Sequence, residues 1–406
     1  MKQRNLEEIL DRKEIEGYHE LPPGWRWVRL GEVFKLTSGK PRPKIVKKYP
    51  DTEYKYEVYG GNGVMGFSKE YLLEQPTIVL GRVGEYCGAV HVTKSKVWVS
   101  DNALFIKEML MDNIHLSFLA LALIMLDLNR FKKKTGQSLI NQKIVYSQRI
   151  PLPPFPEQCC IATKIQELMQ EVERARTACE KQLEAAKALP AAYLRQVFES
   201  EEAEKWERRR LGEVLSVLET GSRPKGVVFE IKEGIPSIGA EHLNSLGGFN
   251  LNNIRFIPEE FYQTMKRGQI QKKDVLVVKD GATTGKVSFV DDNFPCGKAA
   301  INEHVFRLRG KTFLNQEFPF WFLYSPAGQS QIQQEFHGSA QGGINQKFVD
   351  AISIPLPSVP VQQRIASDLK EKMLEVEKLR TSIEKQLEAI SVLPHAILRK
   401  AFKGEL

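Results

Sequence analysis

The chain has 406 residues, of which 42% are hydrophobic and 27% charged, and its formal net charge is +8. This length exceeds the usual limit of one hydrophobic core, so two to four domains are expected. The five cysteines form no Cys-x-x-Cys pair, the N-terminus has no apolar signal core, and the most apolar run, 116–126, is too short to cross a bilayer. The composition therefore argues against a disulfide scaffold, a zinc site and a membrane protein, and it favours a cytoplasmic location.

The charge is spread unevenly along the chain. Residues 24–150 carry 20 Lys and Arg against 11 Asp and Glu, whereas residues 206–354 carry 18 against 16. A basic first half fits a polyanionic partner, although basic solvated surfaces are also common. Charge alone does not establish nucleic-acid binding.

In chain order, a short amphipathic helix is predicted at 1–16, and two mixed α and β bodies follow. The first body has β-type runs at 77–80, 89–93, 97–99 and 103–106 and a helix at 114–131. The second has strands at 274–278, 286–290 and 304–308 and a mainly helical segment at 318–336. The resulting domain boundaries are 1–23 (helix and lead-in), 24–150 (first body), 151–205 (first helical segment), 206–354 (second body) and 355–406 (second helical segment).

The two helical segments have apolar residues at alternating three- and four-residue spacing, which is typical of coiled coils. The predicted helix–helix interface consists of Ile165, Leu168, Val172, Leu189, Leu369, Val376, Leu379, Ile383 and Ile390. About 32 residues of helix would reach roughly 48 Å, and Pro190 and Pro394 are expected to kink or end the helices. An intramolecular antiparallel pair is the simplest arrangement, and dimerisation of two chains is the alternative.

The chain repeats itself. Ile140–Lys143 recurs as Ile344–Lys347, and the register then holds without a gap to Phe198 and Phe402, at a constant offset of 204 residues. A Leu-Gly-Glu-Val segment also opens both bodies, at Leu30 and Leu211. The sequence therefore predicts body, helix, body, helix in pseudo-twofold repetition.

No catalytic or metal-binding constellation is predicted. The segment Gly281–Val287 resembles a phosphate-binding loop, but it has one residue too few between its glycines and lacks the Ser or Thr that binds magnesium. The seven histidines are scattered singly. Catalytic residues, metal ligands and a cofactor of its own are therefore not assigned to this chain.

Several cations and amides suit DNA contact instead. Stiff basic loops and amide-bearing segments recur in both bodies, and the candidates are Lys40, Arg42, Lys44, Arg82, Lys132, Lys133, Gln137 and Asn141 in the first, and Arg223, Lys225, Lys279, Lys286, Gln341 and Asn345 in the second. Such side chains can reach phosphates, guanine edges or adenine. The alternatives are that the loops are plain exposed turns and that the amides satisfy buried backbone groups.

The order of these motifs, Leu-Gly-Glu-Val, Ile-Asn-Gln-Lys, Ile-Pro-Leu-Pro and Glu-Lys-Gln-Leu-Glu-Ala, resembles that of the specificity subunit of Type I restriction-modification systems over essentially the whole chain. The resemblance implies two target-recognition domains that each read half of a bipartite site in double-stranded DNA, with paired helices fixing the spacing. It also implies two methyltransferase subunits, which hold S-adenosylmethionine, and restriction subunits as partners. A coiled-coil scaffold and a stand-alone DNA-modifying enzyme are the competing interpretations.

Overall fold

The computed structural model describes residues 21–131, 139–224, 233–338 and 342–406. The chain divides into two compact units. The first unit comprises residues 1–179 together with 386–406, and the second comprises residues 180–385. Each unit contains one mixed α and β body and part of each long helix. The predicted helix at 1–16 lies outside the described residues.

In its described residues, the first unit has strands at the four predicted positions and five further strands. Its elements are β1 (Arg26–Arg29), α1 (Leu30–Val33), β2 (Phe34–Ser38), β3 (Tyr56–Gly60), β4 (Gly63–Ser68), β5 (Ile78–Gly81), β6 (Val90–Val92), β7 (Trp98–Val99), β8 (Ala103–Met109), α2 (Leu116–Leu126), α3 (Gln142–Ser147), β9 (Arg149–Leu152) and α4 (Phe155–Phe198). The sheets have the orders β2-β8-β5-β6, β4-β3-β7 and β1-β9. The helix predicted at 114–131 is shorter than expected, because Asp127 adopts φ 47° and a single 3₁₀ turn, Leu128–Phe131, follows it.

The second unit has the same order of strands as the first, with additional short helices. Its elements are α5 (Glu201–Glu204), β10 (Glu207–Arg210), α6 (Leu211–Val214), β11 (Leu215–Thr220), β12 (Ile235–Ile238), β13 (Arg255–Ile257), α7 (Glu259–Thr264), β14 (Val275–Val278), β15 (Val287–Phe289), β16 (Ala300–Ile301), β17 (Val305–Gly310), α8 (Phe318–Tyr324), α9 (Pro326–Gln334), α10 (Phe348–Ala351), β18 (Ser353–Leu356) and α11 (Val359–Phe402). The sheets have the orders β11-β17-β14-β15, β13-β12-β16 and β10-β18. The mixed α and β class is therefore confirmed in both halves.

The strongest apolar runs form the central strands. All four residues of β5 and all four of β14 are buried. Each of these strands pairs antiparallel with neighbours on both sides. Continuous apolar sequence, rather than alternation, is what a strand covered on both faces requires.

Each long helix runs through its proline, so of the two predicted effects of Pro190 and Pro394, a kink or an end, the end is wrong. Both helices contain 44 residues, more than the 32 or so expected. The last turns are held by packing: Phe198 is buried in the core of the second unit and Phe402 in the core of the first. We attribute the continuity to this burial, which offsets the hydrogen bond that proline removes.

The helices run antiparallel within each unit. In the first unit, Ile161 near the start of α4 shares a core with Phe402 at the end of α11, and Cys179 lies 3.8 Å (Sγ to Oε1) from Gln386. In the second unit, Lys372 Nζ lies 4.9 Å from the ring centre of Tyr193. The pairing is therefore intramolecular where the structure describes it.

The predicted interface residues are mostly, but not all, covered. Ile165, Leu369, Val376 and Ile383 are buried, and Leu168, Val172, Leu189 and Ile390 are half-buried. The prediction that Leu379 belongs to the interface is wrong, because its side chain is 45% exposed. The covered positions run from Val376 through the half-buried Arg380 to Ile383. Leu379 lies about 60° around the helix from Val376 and about 100° from Arg380, at the edge of this seam. Among the described residues, no helix combines the length and apolar character needed to span a membrane.

Candidate nucleic-acid interface

In the first unit, backbone hydrogen bonds hold the base of a glycine turn between β5 and β6. The amide of Gly88 donates to the carbonyl of Gly81 (2.8 Å), and that of Cys87 donates to Gly84 (3.3 Å). Ile140, from the closing Ile-Asn-Gln-Lys segment, donates its amide to the carbonyl of Arg82 (3.0 Å). The tip is open, since Gly84 has φ +78° and a Cβ there would meet nothing within 4 Å.

The second unit builds the same turn between β14 and β15. Gly285 donates to the carbonyl of Val278 (2.9 Å), and Ile344 donates to that of Lys279 (2.8 Å). Gly281, at φ +89°, again leaves the tip open. The repeated closing segment therefore has a repeated structural role, and the two turns present Arg82 and Lys279 from equivalent backbone positions.

Of the four side-chain amides predicted to contact DNA, two hydrogen bond to the backbone and two lie outside the described residues. The Asn141 side chain accepts a hydrogen bond from the Ile144 amide (3.0 Å), and the Asn345 side chain accepts one from the Lys347 amide (2.8 Å). These bonds support the structural alternative for both amide oxygens. Gln137 and Gln341 lie outside the described residues, as do Lys132, Lys133 and Lys225.

In the first unit the basic loop and the glycine turn lie side by side. Arg82 Nη1 donates to Ser38 Oγ (3.1 Å), at the point where β2 ends and the loop begins. The amide of Lys40 donates to the carbonyl of Val99 (3.0 Å), which ties the loop to β7. Among the described residues Lys40, Arg42 and Lys44 are exposed and have no carboxylate partner. Arg82 and Lys40 therefore lie on one surface, and Arg42 and Lys44 follow Lys40 in the same exposed loop.

The far side of this loop is braced. Lys47 exchanges two backbone hydrogen bonds with Phe67 of β4 (2.9 and 2.8 Å). Its ammonium hydrogen bonds Asp51 (2.6 Å), which lowers the pKa of that carboxyl to about 2, and it lies 4.3 Å from the ring centre of Tyr54. Gly66 is required here, because a Cβ would lie 2.6 Å from the Lys47 carbonyl oxygen. The basic loop is therefore an ordered surface.

The predicted cations of the second unit are more neutralised. The side chain of Arg223 is only 12% exposed, donates to Ser237 Oγ (3.0 Å) and lies 3.9 Å from Glu241; burial lowers its pKa. Lys279 lies 3.7 Å from Asp280, which also contacts His304 Nδ1 at 2.6 Å. Lys286 is half-buried at the end of the turn. This matches the weak charge excess of the second body.

A hairpin that was not among the predicted site residues completes the first surface. The turn that joins β3 to β4 lies against the glycine turn, since a Cβ on Gly61 would be 3.6 Å from the Gly81 Cα and 3.9 Å from the Arg82 nitrogen. Three glycines in Gly60-Gly61-Asn62-Gly63 were the available signal, because glycine in a strand pattern often marks close backbone approach. Within the described part of the chain, no group of three or more His, Cys, Asp or Glu could hold a metal.

The protein contains two α and β bodies, and each body packs on paired long helices. Each body also carries a glycine turn held by the same backbone hydrogen bonds, so the fold is that of a duplicated recognition protein. The family model for the Type I restriction modification DNA specificity domain matches the chain twice, at residues 22–185 and 203–389. The chain therefore belongs to this family. Its members are the non-catalytic DNA-recognition components of Type I restriction-modification systems and work with methyltransferase and restriction subunits.

Individual relatives agree with the family match. The chain is 24% identical over 403 residues to the MjaVIII specificity subunit of Methanocaldococcus jannaschii, with 92% of each chain covered. It is 25% identical over 296 residues to the EcoBI specificity subunit of Escherichia coli, which covers 66% of this chain and 60% of that one.

Solved structures share the fold. The HsdS subunit from Thermoanaerobacter tengcongensis superposes with a TM-score of 0.64 at 20% identity, with 96% of this chain and 99% of that chain covered. A chain from a structural study of assembly and conformational transition in the type I R-M system gives 0.72 at 22% identity, covering 96% and 100%.

Proposed function

We propose that this chain is the DNA sequence-recognition subunit of a Type I restriction-modification complex, and that each unit reads one half of a bipartite site. The proposal rests on one repeated structure: equivalent backbone hydrogen bonds hold the glycine turns that carry Arg82 and Lys279 in the two units. The turns are the same but the loops around them differ in sequence, which suits two domains that recognise different DNA sequences. Contacts to phosphates position such a reader, and contacts to base edges specify the sequence.

The cations divide into roles by their exposure. Lys40, Arg42, Lys44 and Arg82 form the phosphate-contacting surface of the first unit. In the second unit Lys279 and Lys286 take this role, whereas Arg223 chiefly orders its own loop through Ser237 and Glu241. The second unit consequently depends more on partner subunits for affinity, because phosphate neutralisation supplies much of the affinity for DNA.

The long helices set the distance between the half-sites and dock two methyltransferase subunits. Large apolar side chains exposed on α11, namely Leu374, Val392 and Leu393, at 56, 48 and 41%, support a docking role. In this proposal S-adenosylmethionine binds the methyltransferase subunits, restriction subunits join for cleavage, and the complex works in the cytoplasm on double-stranded DNA.

The test is a genome-wide map of N6-methyladenine in a methylation-free bacterium that expresses this chain with its neighbouring methyltransferase gene. A split motif that requires both genes supports the proposal and identifies the half-sites. If both proteins are soluble and associated but no motif is methylated, the coiled-coil scaffold becomes the better interpretation. Methylation by this chain alone would favour the stand-alone enzyme.

A further inference from the structure

Among the large apolar side chains that the first unit exposes, three lie at or near the β3–β4 hairpin. Tyr49 is 71% exposed, Val64 45% and Met65 42%. Val64 and Met65 follow the hairpin turn, at the start of β4. Tyr49 and Met65 each lie two residues from the antiparallel Lys47–Phe67 bridge, towards the same end. We call these three residues the apolar strip.

Cations lie around this strip. A Cβ on Gly60 would lie 3.3 Å from Met65 Sδ and 3.9 Å from Ser100 Oγ, and Lys40 forms a parallel bridge with Ser100. The neighbouring Gly61 lies against the backbone of Arg82. On the other side, Lys48 Nζ lies 5.5 Å from the ring centre of Tyr49. Lys40, Lys48 and Arg82 therefore lie near the strip, and the carboxylate of Asp51, two residues after Tyr49, is paired with Lys47.

These neighbouring cations indicate the occupant. Clustered apolar residues rimmed by polar groups mark interaction sites, and here the nearby cations are complementary to duplex DNA. Phosphate groups gain little from contact with apolar side chains. Apolar side chains instead contact the methyl group of thymine, and they can insert between neighbouring bases.

We propose that Tyr49, Val64 and Met65 contact the bases of one half-site and help to determine its sequence. This inference rests on the proposed DNA-recognition function. It separates two tasks within one surface, with Lys40 and Arg82 holding phosphates while the apolar strip discriminates between sequences.

The test compares Met65→Ala and Tyr49→Ala with Met109→Ala in the full chain bound to its methyltransferase partner. Met109 is the matched control, because it is a methionine of the same unit with 37% exposure and pairs with Phe34 at the other end of β2. The probes are a duplex with the mapped site and duplexes with one or the other half-site scrambled. Binding is measured over a series of salt concentrations.

Met65→Ala and Tyr49→Ala should each lower discrimination at one half-site by about tenfold, comparable to the effect of a mismatched base pair. The slope of affinity against salt and discrimination at the other half-site should not change. Lys40→Gln should instead weaken binding to all duplexes and reduce the salt slope by about one. Met65→Gln, which keeps the length of the side chain, should behave like Met65→Ala.

Unchanged discrimination in the strip variants would overturn the inference while leaving the proposed function intact. Equal losses in Met65→Ala and Met109→Ala would also overturn it, because the loss would then not be specific to the strip. A wild-type complex with no preference for any sequence would contradict the proposed function itself, and this inference with it.

Discussion

Two glutamines join the bodies to the long helices. Gln158 and Gln362 occupy matching positions of the repeat and are 1% and 3% exposed. Gln158 accepts from the His115 amide (2.9 Å) and donates to the Pro153 carbonyl (3.0 Å); Gln362 accepts from the Asn315 amide (3.0 Å) and donates to the Pro357 carbonyl (2.8 Å). Each side chain thus satisfies one partly buried amide and one buried carbonyl near the start of a long helix.

Gln158→Ala and Gln362→Ala should each lower the free energy of unfolding by about 2 kcal/mol, because buried backbone groups lose their partners. Hydrogen exchange should place the first loss in unit one and the second in unit two. Gln166→Ala, at an exposed position of the same helix as Gln158, is the control and should change little. Equal effects from all three substitutions would contradict the assignment.

A buried carboxylate organises the sheet of the second unit. Asp274 has no exposed surface, accepts a hydrogen bond from Arg307 Nε (2.6 Å) and also contacts Arg309 (2.8 Å). Asp274→Ala should destabilise the chain by about 2 to 3 kcal/mol, because Arg307 Nε is left buried without an acceptor while Glu219 still pairs with Arg307 Nη1.

Chemical denaturation of the full chain measures this loss. Asp292→Ala is the control: it removes an exposed carboxylate that also pairs with a cation, Lys272, at 3.0 Å, and should leave stability nearly unchanged. If Asp274→Ala unfolds at the same denaturant concentration as Asp292→Ala, the buried network is not a stabilising feature.

At the scale of elements, the long helices determine the spacing in the proposed function. Deleting residues 173–179 and 377–383, which occupy matching positions, removes one heptad from each helix and about 10 Å of its length. That length corresponds to about three base pairs of duplex. The gap in the methylated motif should shorten while both half-sites keep their sequences.

Methylome mapping of this double deletion provides the measurement. Deleting one heptad only should abolish specific methylation, because the apolar seams then lose their common register. An unchanged gap in the double deletion would refute the idea that the helices measure the distance.

At the scale of the whole molecule, the last turn of each long helix packs against the body of the compact unit that contains it. Phe198 and Phe402 occupy matching positions; Phe198 packs on Phe318 of the second unit (ring centres 5.6 Å), and Phe402 packs on Phe118 of the first (5.2 Å). The C-terminal segment 386–406 therefore folds with the first body, although residues 151–385 separate the two in sequence.

Phe402→Ala should lower the stability of the first unit by about 3 to 5 kcal/mol, and Phe198→Ala that of the second, because each creates a cavity in a different core. Hydrogen exchange of the full chain distinguishes the two. If Phe402→Ala reduced protection chiefly in the second unit, the division into units would be wrong.

The sequence by itself determined the features that local pattern encodes. The sequence predicted the 204-residue repeat, the coiled-coil spacing and the apolar runs that form β5 and β14. These features were predictable because the period and composition of a segment reflect its burial along one element. The family resemblance followed from the order of these motifs. The error at Leu379 has the same origin. The spacing of apolar residues predicts Leu379 as the interface residue, and it cannot show that the side chain of Arg380 is covered instead.

Only the tertiary structure decided which residues share a surface. Arg82 meets Ser38, Lys40 meets Ser100, and the β3–β4 hairpin lies beside both. It also showed that Arg223 is mostly covered and that two asparagines cap backbone amides. These facts depend on contacts between segments tens of residues apart, which no local period encodes. The long helices extend past their prolines for the same reason, because the cores that receive Phe198 and Phe402 are built from distant parts of the chain.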